Sequence, residues 1–258
     1  MARLEMWLVD DDHPTGAWVW AGGIIGGGGT DPDPDPPPAT TMKYLKLPGT
    51  SGAMASVADS AALRLTSSHR IRMLVRKADW TPTANEVIFA RWGDSGDWSY
   101  FWRLQTTGGT YFQFTQNGST VAAAPTTSAP SPALAVNDWI WVEWRLVAAS
   151  RQVLVATHDG DVAADPVDAG GYSTVVTGGT GAAMGAMYSG GTQAVTIGGF
   201  VDGSNMQIDI AQIFVLNASD AVVFSLDPAN WTTGTSWTTD SSHVVTLVGT
   251  ATIDTVSV

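Results

Sequence analysis

Residues 139–146 alternate strictly: Ile140, Val142, Trp144 and Leu146 fall on one side, and Trp139, Trp141, Glu143 and Arg145 on the other. A period of two marks an extended strand, because successive side chains leave a pleated backbone on opposite faces. The pattern recurs over residues 43–48, 70–76 and 98–104, and in the last Trp98, Tyr100, Trp102 and Leu104 share a face. Shorter extended stretches follow at 110–114, 152–157, 194–198, 207–216, 222–226, 244–248 and 251–253. Gly108-Gly109 and Asn117-Gly118 supply turn chemistry between them. No helical period persists beyond two turns, and the best candidate, residues 58–63, makes one turn at most. Many short strands separated by turn signals predict an all-β chain, a sandwich or a barrel.

Two stretches break the pattern and read as surface loops: residues 122–132, and residues 159–191, which are rich in glycine and small residues. The second is long enough to hide a short strand near residues 173–176.

Composition agrees with strands. Of 24 acidic residues only three are glutamate (Glu5, Glu86, Glu143), and aspartate favours turns where glutamate favours helices. The net charge of −12 argues against nucleic acid and anionic membrane, which both demand a basic footprint. Cysteine is absent, so neither a disulfide framework nor a thiolate metal site is available. The apolar start is interrupted by Glu5 and by Asp10-Asp11-Asp12, and it does not read as a signal peptide.

The run from Gly26 to Pro38 divides the chain. Four glycines form a flexible joint, and the Asp-Pro repeat that follows forms a stiff, charged spacer, since proline fixes its own φ and extends the residue before it. The expected organisation is an N-terminal arm (residues 1–25), a linker (26–41) and a β body (42–258). The arm carries Trp7, Trp18 and Trp20 on two short extended pieces, too small to be stable alone and aromatic enough to dock on a partner. The alternative is that it folds back on its own body. Stretched out, the linker spans roughly 40 Å.

Several stretches fall in a familiar order: Tyr44-Leu45-Lys46-Leu47-Pro48-Gly49, then residues 58–63, 71–75, Ala90-Arg91-Trp92, Trp141-Val142-Glu143-Trp144-Arg145, His158-Asp159-Gly160 and Ile197-Gly198-Gly199, closing with 203–215. Together with residues 237–253, this order resembles the laminin-G-like, concanavalin A-like jelly-roll domains of minor tail proteins of phages that infect actinobacteria. The resemblance covers roughly residues 42–253 and rests on the order of motifs that are individually weak. It implies two packed antiparallel sheets, a virion location (tail in preference to capsid surface), other virion proteins as partners of the arm, and binding of host-envelope glycan. Display modules on phage are often homotrimers, and the symmetry stays open here.

Catalytic chemistry is hard to place. Jelly-roll glucanases use Glu-x-Asp-x-x-Glu on one strand to aim two glutamates and an aspartate at one cleft. The nearest stretch, residues 207–212, keeps Asp209 but has Gln207 and Gln212 at the glutamate positions, and an amide is neither a general acid nor a carboxylate nucleophile. The expectation is a chain that is not an enzyme, although aspartate pairs remain formally available. Ca2+ is the one cofactor worth weighing, since relatives of this fold hold it with aspartates at a loop rim; Asp159, Asp161 and Asp202 are the candidate ligands. Their bland reading is turn chemistry. Sugar rings stack on exposed tryptophan and hydrogen-bond to carboxylates, and Trp92, Asp94, Asp97 and Trp98 bracket one loop as a candidate glycan site. Strand tryptophans such as Trp102 and Trp144 instead read as core.

Overall fold

The described residues form fifteen strands, most of them over the period-two stretches, and two single 3-10 turns. The computed structural model describes residues 41–93, 97–122, 125–128, 134–158, 171–179, 183–200 and 203–257. The arm, the linker and the tryptophans Trp7, Trp18 and Trp20 lie outside the described residues.

In chain order the strands are β1 (Thr41–Pro48), β2 (Met54–Val57), β3 (His69–Arg76), β4 (Glu86–Arg91), β5 (Tyr100–Leu104), β6 (Thr110–Phe114), β7 (Ile140–Val147) and β8 (Gln152–His158). They continue with β9 (Tyr172–Gly178), β10 (Val195–Ile197), β11 (Gln207–Leu216), β12 (Val222–Leu226), β13 (Ser236–Thr238), β14 (Val244–Val248) and β15 (Thr252–Ser257). Eight form one sheet in the order β15-β1-β11-β3-β7-β8-β9, and seven form the other in the order β13-β14-β2-β10-β4-β5-β6. The eighth strand of the large sheet, β12, pairs with the far half of β11 at residues 213–216, while β1 takes residues 207–210 on the same edge. The chain crosses between sheets repeatedly, as in β1 to β2 to β3, so the two sheets are built together into an antiparallel β-sandwich.

Leu45, Leu47, Ile71, Met73, Val75, Val142, Trp144 and Leu146 of the large sheet face Phe89, Tyr100, Trp102, Phe112, Phe114 and Ile197 of the small one in a single core. Each such side chain contributes about 1.5–3 kcal/mol on burial. Trp102 and Trp144 are fully buried, as the alternation predicts. The outer face of the large sheet carries a second cluster of Tyr44, Leu74, Trp141, Ala156, Tyr172 and Ala211. In its middle Arg72 Nε donates to Glu143 Oε2 at 2.6 Å, both side chains being fully buried. Glu143 also receives Arg145 and stands 4.0 Å from Arg70.

The structure corrects the sequence reading at several points. Strand β5 begins at Tyr100, so Trp98 precedes it and is half-exposed, while Tyr100, Trp102 and Leu104 point into the core. Strands β2, β4 and β13 were not anticipated. All six residues of β4 are buried, because β10 and β5 flank it, and no alternation survives to betray it. The described part of the 122–132 loop runs beside β6: Phe112 N donates to Pro125 O, and Thr127 N to Thr110 O. The strand suspected near residues 173–176 is β9, and the turn at 58–63 is a single 3-10 turn at Ala61–Leu63.

Candidate functional site

On the small sheet, Tyr100, Trp102 and Leu104 of β5 and Thr110, Phe112 and Phe114 of β6 point inward. Alternation therefore turns Phe101, Arg103, Tyr111 and Gln113 outward, where all four are half-buried. Register sets Phe101 opposite Gln113 and Arg103 opposite Tyr111. The Arg103 guanidinium lies 5.2 Å from the Phe101 ring centroid and 5.1 Å from that of Tyr111, and so bridges the two rings. Tyr111 OH donates to Gln113 Oε1 at 3.2 Å.

Trp92, just beyond the end of β4, meets Phe101 edge-on at 4.9 Å and stacks on Trp98 with centroids 5.0 Å apart and planes 12° from parallel. Trp98, Trp92, Phe101 and Tyr111 thus form one continuous aromatic track on the outer face. All four rings keep part of their surface in water.

The track is rigidly mounted. Trp98 N donates to Gly118 O at 2.9 Å, and Thr115 Oγ1 donates to Trp98 O at 2.6 Å. The turn behind it is held by Asn117, whose Oδ1 accepts from the backbone of Ser119 and Thr120. Arg91, next to Trp92 and fully buried, donates through one nitrogen to Asp59 Oδ1, Gly190 O and Gly191 O. Asp59 also accepts from Arg64, and that hydrogen bond is the leading reason its carboxyl titrates below the usual carboxylate range. The motif segments 58–63 and 90–92 are therefore joined by a part-buried ion pair.

Of the glycan-site residues expected from sequence, Trp92 and Trp98 come together as a stacked pair. Asp97 sits on the same rim, but its Oδ2 accepts from Gln193 Nε2 at 3.0 Å, which ties the loop ahead of Trp98 to the 190s. Asp94 lies outside the described residues, as do the Ca2+ candidates Asp159, Asp161 and Asp202. Among the described residues no cluster of three or more His, Asp or Glu side chains is placed to hold a metal ion. Phe101, Arg103, Tyr111 and Gln113 were not singled out from sequence. The signal was present, since the alternation that sends Tyr100 and Trp102 inward sends their neighbours outward.

The residues weighed for catalysis are occupied otherwise. Asp209 forms an ion pair with Arg76, which donates to it at 2.7 and 3.1 Å. Glu86 on the small sheet pairs with Lys77 at 2.7 Å, and Glu143 on the large sheet pairs with Arg72, so the two described glutamates stand on different sheets with different partners. His69 is buried in the core, and His243 is held between Ser60 and Ser241.

No family model and no curated relative matches the chain. Among solved structures, a protein from Bacteroides ovatus ATCC 8483 proposed to bind carbohydrate aligns at 13% identity with a TM-score of 0.55, over 86% of this chain and 62% of that one. This chain thus spans less than two thirds of that protein's length. Domains LG4-5 of the mouse laminin alpha1 chain align at 13% identity and TM-score 0.43, over 73% of this chain and 43% of that one. The CBM40 of the Ruminococcus gnavus IT-sialidase, solved with alpha2,3 sialyllactose, aligns at 8% identity and TM-score 0.39, over 72% of this chain and 93% of that one. At 13% identity the likeness to the Bacteroides protein is one of fold, and together with the two-sheet topology it makes the described residues a jelly-roll β-sandwich.

Proposed function

We propose that this chain is a non-enzymatic glycan-binding module whose sandwich is displayed by its N-terminal arm on a phage virion, at the tail, for adhesion to the host envelope. The observation that carries the binding is the track Trp98–Trp92–Phe101–Tyr111 with Arg103 between its rings. Stacked, part-exposed rings offer apolar faces to the flat faces of sugar rings, while Gln113, Arg103 and Asp97 stand close enough to reach hydroxyl groups. The fold shared with the Bacteroides protein is compatible with that use. The non-enzymatic reading is supported by the ion-paired state of Asp209, Glu86 and Glu143. The virion and tail placement rests on the order of motifs in the sequence and on the tether between arm and body.

Retention of the full chain on host cell-wall polysaccharide, compared with the Trp92→Ala/Trp98→Ala double variant, tests the binding. Loss of retention in the variant is expected; equal retention overturns the assignment of the track. Deleting residues 1–38 is expected to abolish incorporation into particles, and immunogold labelling of intact virions separates tail from capsid surface.

A further inference from the structure

The aromatic track is electrically lopsided. Asp97 stands at its Trp98 end, where it already accepts from Gln193, and Arg103 stands at the other end between Phe101 and Tyr111. Alternation puts Arg103 and Phe101 on one face of β5, and register sets Tyr111 of β6 opposite Arg103. A guanidinium lying over two rings is steadied by their negative faces, so its position is fixed before any ligand arrives.

What Arg103 lacks is an acid. Arg64, Arg70, Arg72, Arg76, Arg91 and Arg145 each pair with a carboxylate. Arg103 pairs with none among the described residues, in a chain whose 24 acidic side chains outnumber 12 basic ones. Arg151 also stands without one, but at the turn between β7 and β8, with no cation–π contact among the described residues. Arg103 is half-buried, and of its guanidinium nitrogens only Nε is shut off from water. Its terminal N–H groups therefore open outward beside the rings, as a planar fork that matches a carboxylate. One cation among four rings does not match a polymer charged at every unit, such as nucleic acid. It matches a run of sugar rings in which an anionic group recurs at intervals.

We infer that the track takes an acidic polysaccharide, with Arg103 as the specificity-determining residue that pairs the carboxylate of a uronic-acid unit stacked on Phe101 or Tyr111. The inference rests on the reading of the track as a glycan site and adds the charge of the ligand to it. A uronate carries its carboxylate on the sugar ring itself, so the unit that stacks beside Arg103 delivers the anion to the fork. A phosphodiester lies between units, away from the ring that stacks. The net charge of −12 does not cancel this contact, because at physiological ionic strength charges more than about 8 Å apart are largely screened and a contact pair is not.

The test is retention of the full chain on three forms of the host cell-wall polysaccharide: intact, carboxyl-reduced so that each uronate becomes a neutral sugar, and dephosphorylated. The intact and dephosphorylated forms are expected to bind alike, and the carboxyl-reduced form about tenfold more weakly. Arg103→Gln is expected to bring the ratio of intact to carboxyl-reduced binding down to about one, and Arg103→Lys, which keeps the charge but not the fork, to keep part of it. Added salt should erode the preference in the wild type and change little in Arg103→Gln. Retention of the intact polymer with no preference over the carboxyl-reduced form, or a preference that survives in Arg103→Gln, overturns the inference and leaves the track standing. A loss on dephosphorylation in place of carboxyl reduction makes phosphate the anion and overturns it as well. Retention that survives Trp92→Ala/Trp98→Ala, or no retention of the intact polymer by the wild type, overturns the track and this inference with it.

Discussion

Trp102 Nε1 donates a 2.9 Å hydrogen bond to His69 Nε2 across the interior of the sandwich, joining β5 of the small sheet to β3 of the large one. The other ring nitrogen of His69 lies 2.9 Å from Ser67 O, so the proton sits on Nδ1 and the imidazole is neutral. Burial pushes its pKa down from 6.5 to about 4. Each end of a buried polar pair satisfies the other, and the indole and imidazole also pack with Phe112.

Stability should therefore fall with acidification through a defined window. Between pH 6.5 and about 4 the unfolded chain binds a proton at His69 and the folded chain does not, so stability is full above 6.5 and declines towards 4. A depression of about 2.5 pH units corresponds to about 3 kcal/mol. Glu86 acts in the opposite sense, because burial raises its pKa and lets the folded state hold a proton longer. Urea denaturation across this pH range, compared between wild type and His69→Gln, isolates the histidine: the variant should show a shallower fall.

Replacing Trp102 with phenylalanine keeps an aromatic ring in the core but leaves His69 Nε2 without its donor. A loss of about 1–3 kcal/mol is expected from the orphaned acceptor, in addition to the smaller ring's packing deficit. Thermal denaturation followed by near-ultraviolet circular dichroism checks it.

Glu143 is fully buried and gathers Arg72, Arg145 and Arg70. Glu143→Ala takes the carboxylate from a guanidinium that is itself fully buried and should cost about 3–5 kcal/mol. The paired change Arg72→Met/Glu143→Leu should cost less than the single one, since it removes both charges. Chemical denaturation of the three proteins gives the comparison.

The stacked pair Trp92–Trp98 lies on the surface, so its loss should separate binding from folding. Trp92→Ala and Trp98→Ala should each lower the unfolding free energy by about 1 kcal/mol, from the lost ring–ring contact. Polysaccharide retention should drop far more steeply. Retention assays beside thermal melts on the same preparations measure both.

Much of the sandwich is legible in the chain. Strands β1, β3, β6, β7, β8, β11, β12 and β14 fall where period two places them, because each buries one face and wets or differently packs the other. Legibility ends where that rule ends. β4 is flanked on both edges and buried throughout, so its sequence does not alternate. In β11 a bulge at Ala211 shifts the phase, and the inward set passes from Ile208 and Ile210 to Ile213 and Val215. The track was half visible: Trp92 and Trp98 stand out by residue type, while Phe101 and Tyr111 become partners only when β5 and β6 pair in register.

By itself the sequence determined the class of this protein: all-β, turn-rich, acidic, free of thiol chemistry and short of catalytic glutamates. These are properties of composition and local spacing, and no distant contact is needed to read them. Tertiary structure alone decided which residues share a surface. Asp59 reaches Arg91 and His69 reaches Trp102, because strands distant in the chain must cross between two sheets to bury both inner faces. Such meetings follow from topology and pairing register, which are long-range properties that no local window of residues records.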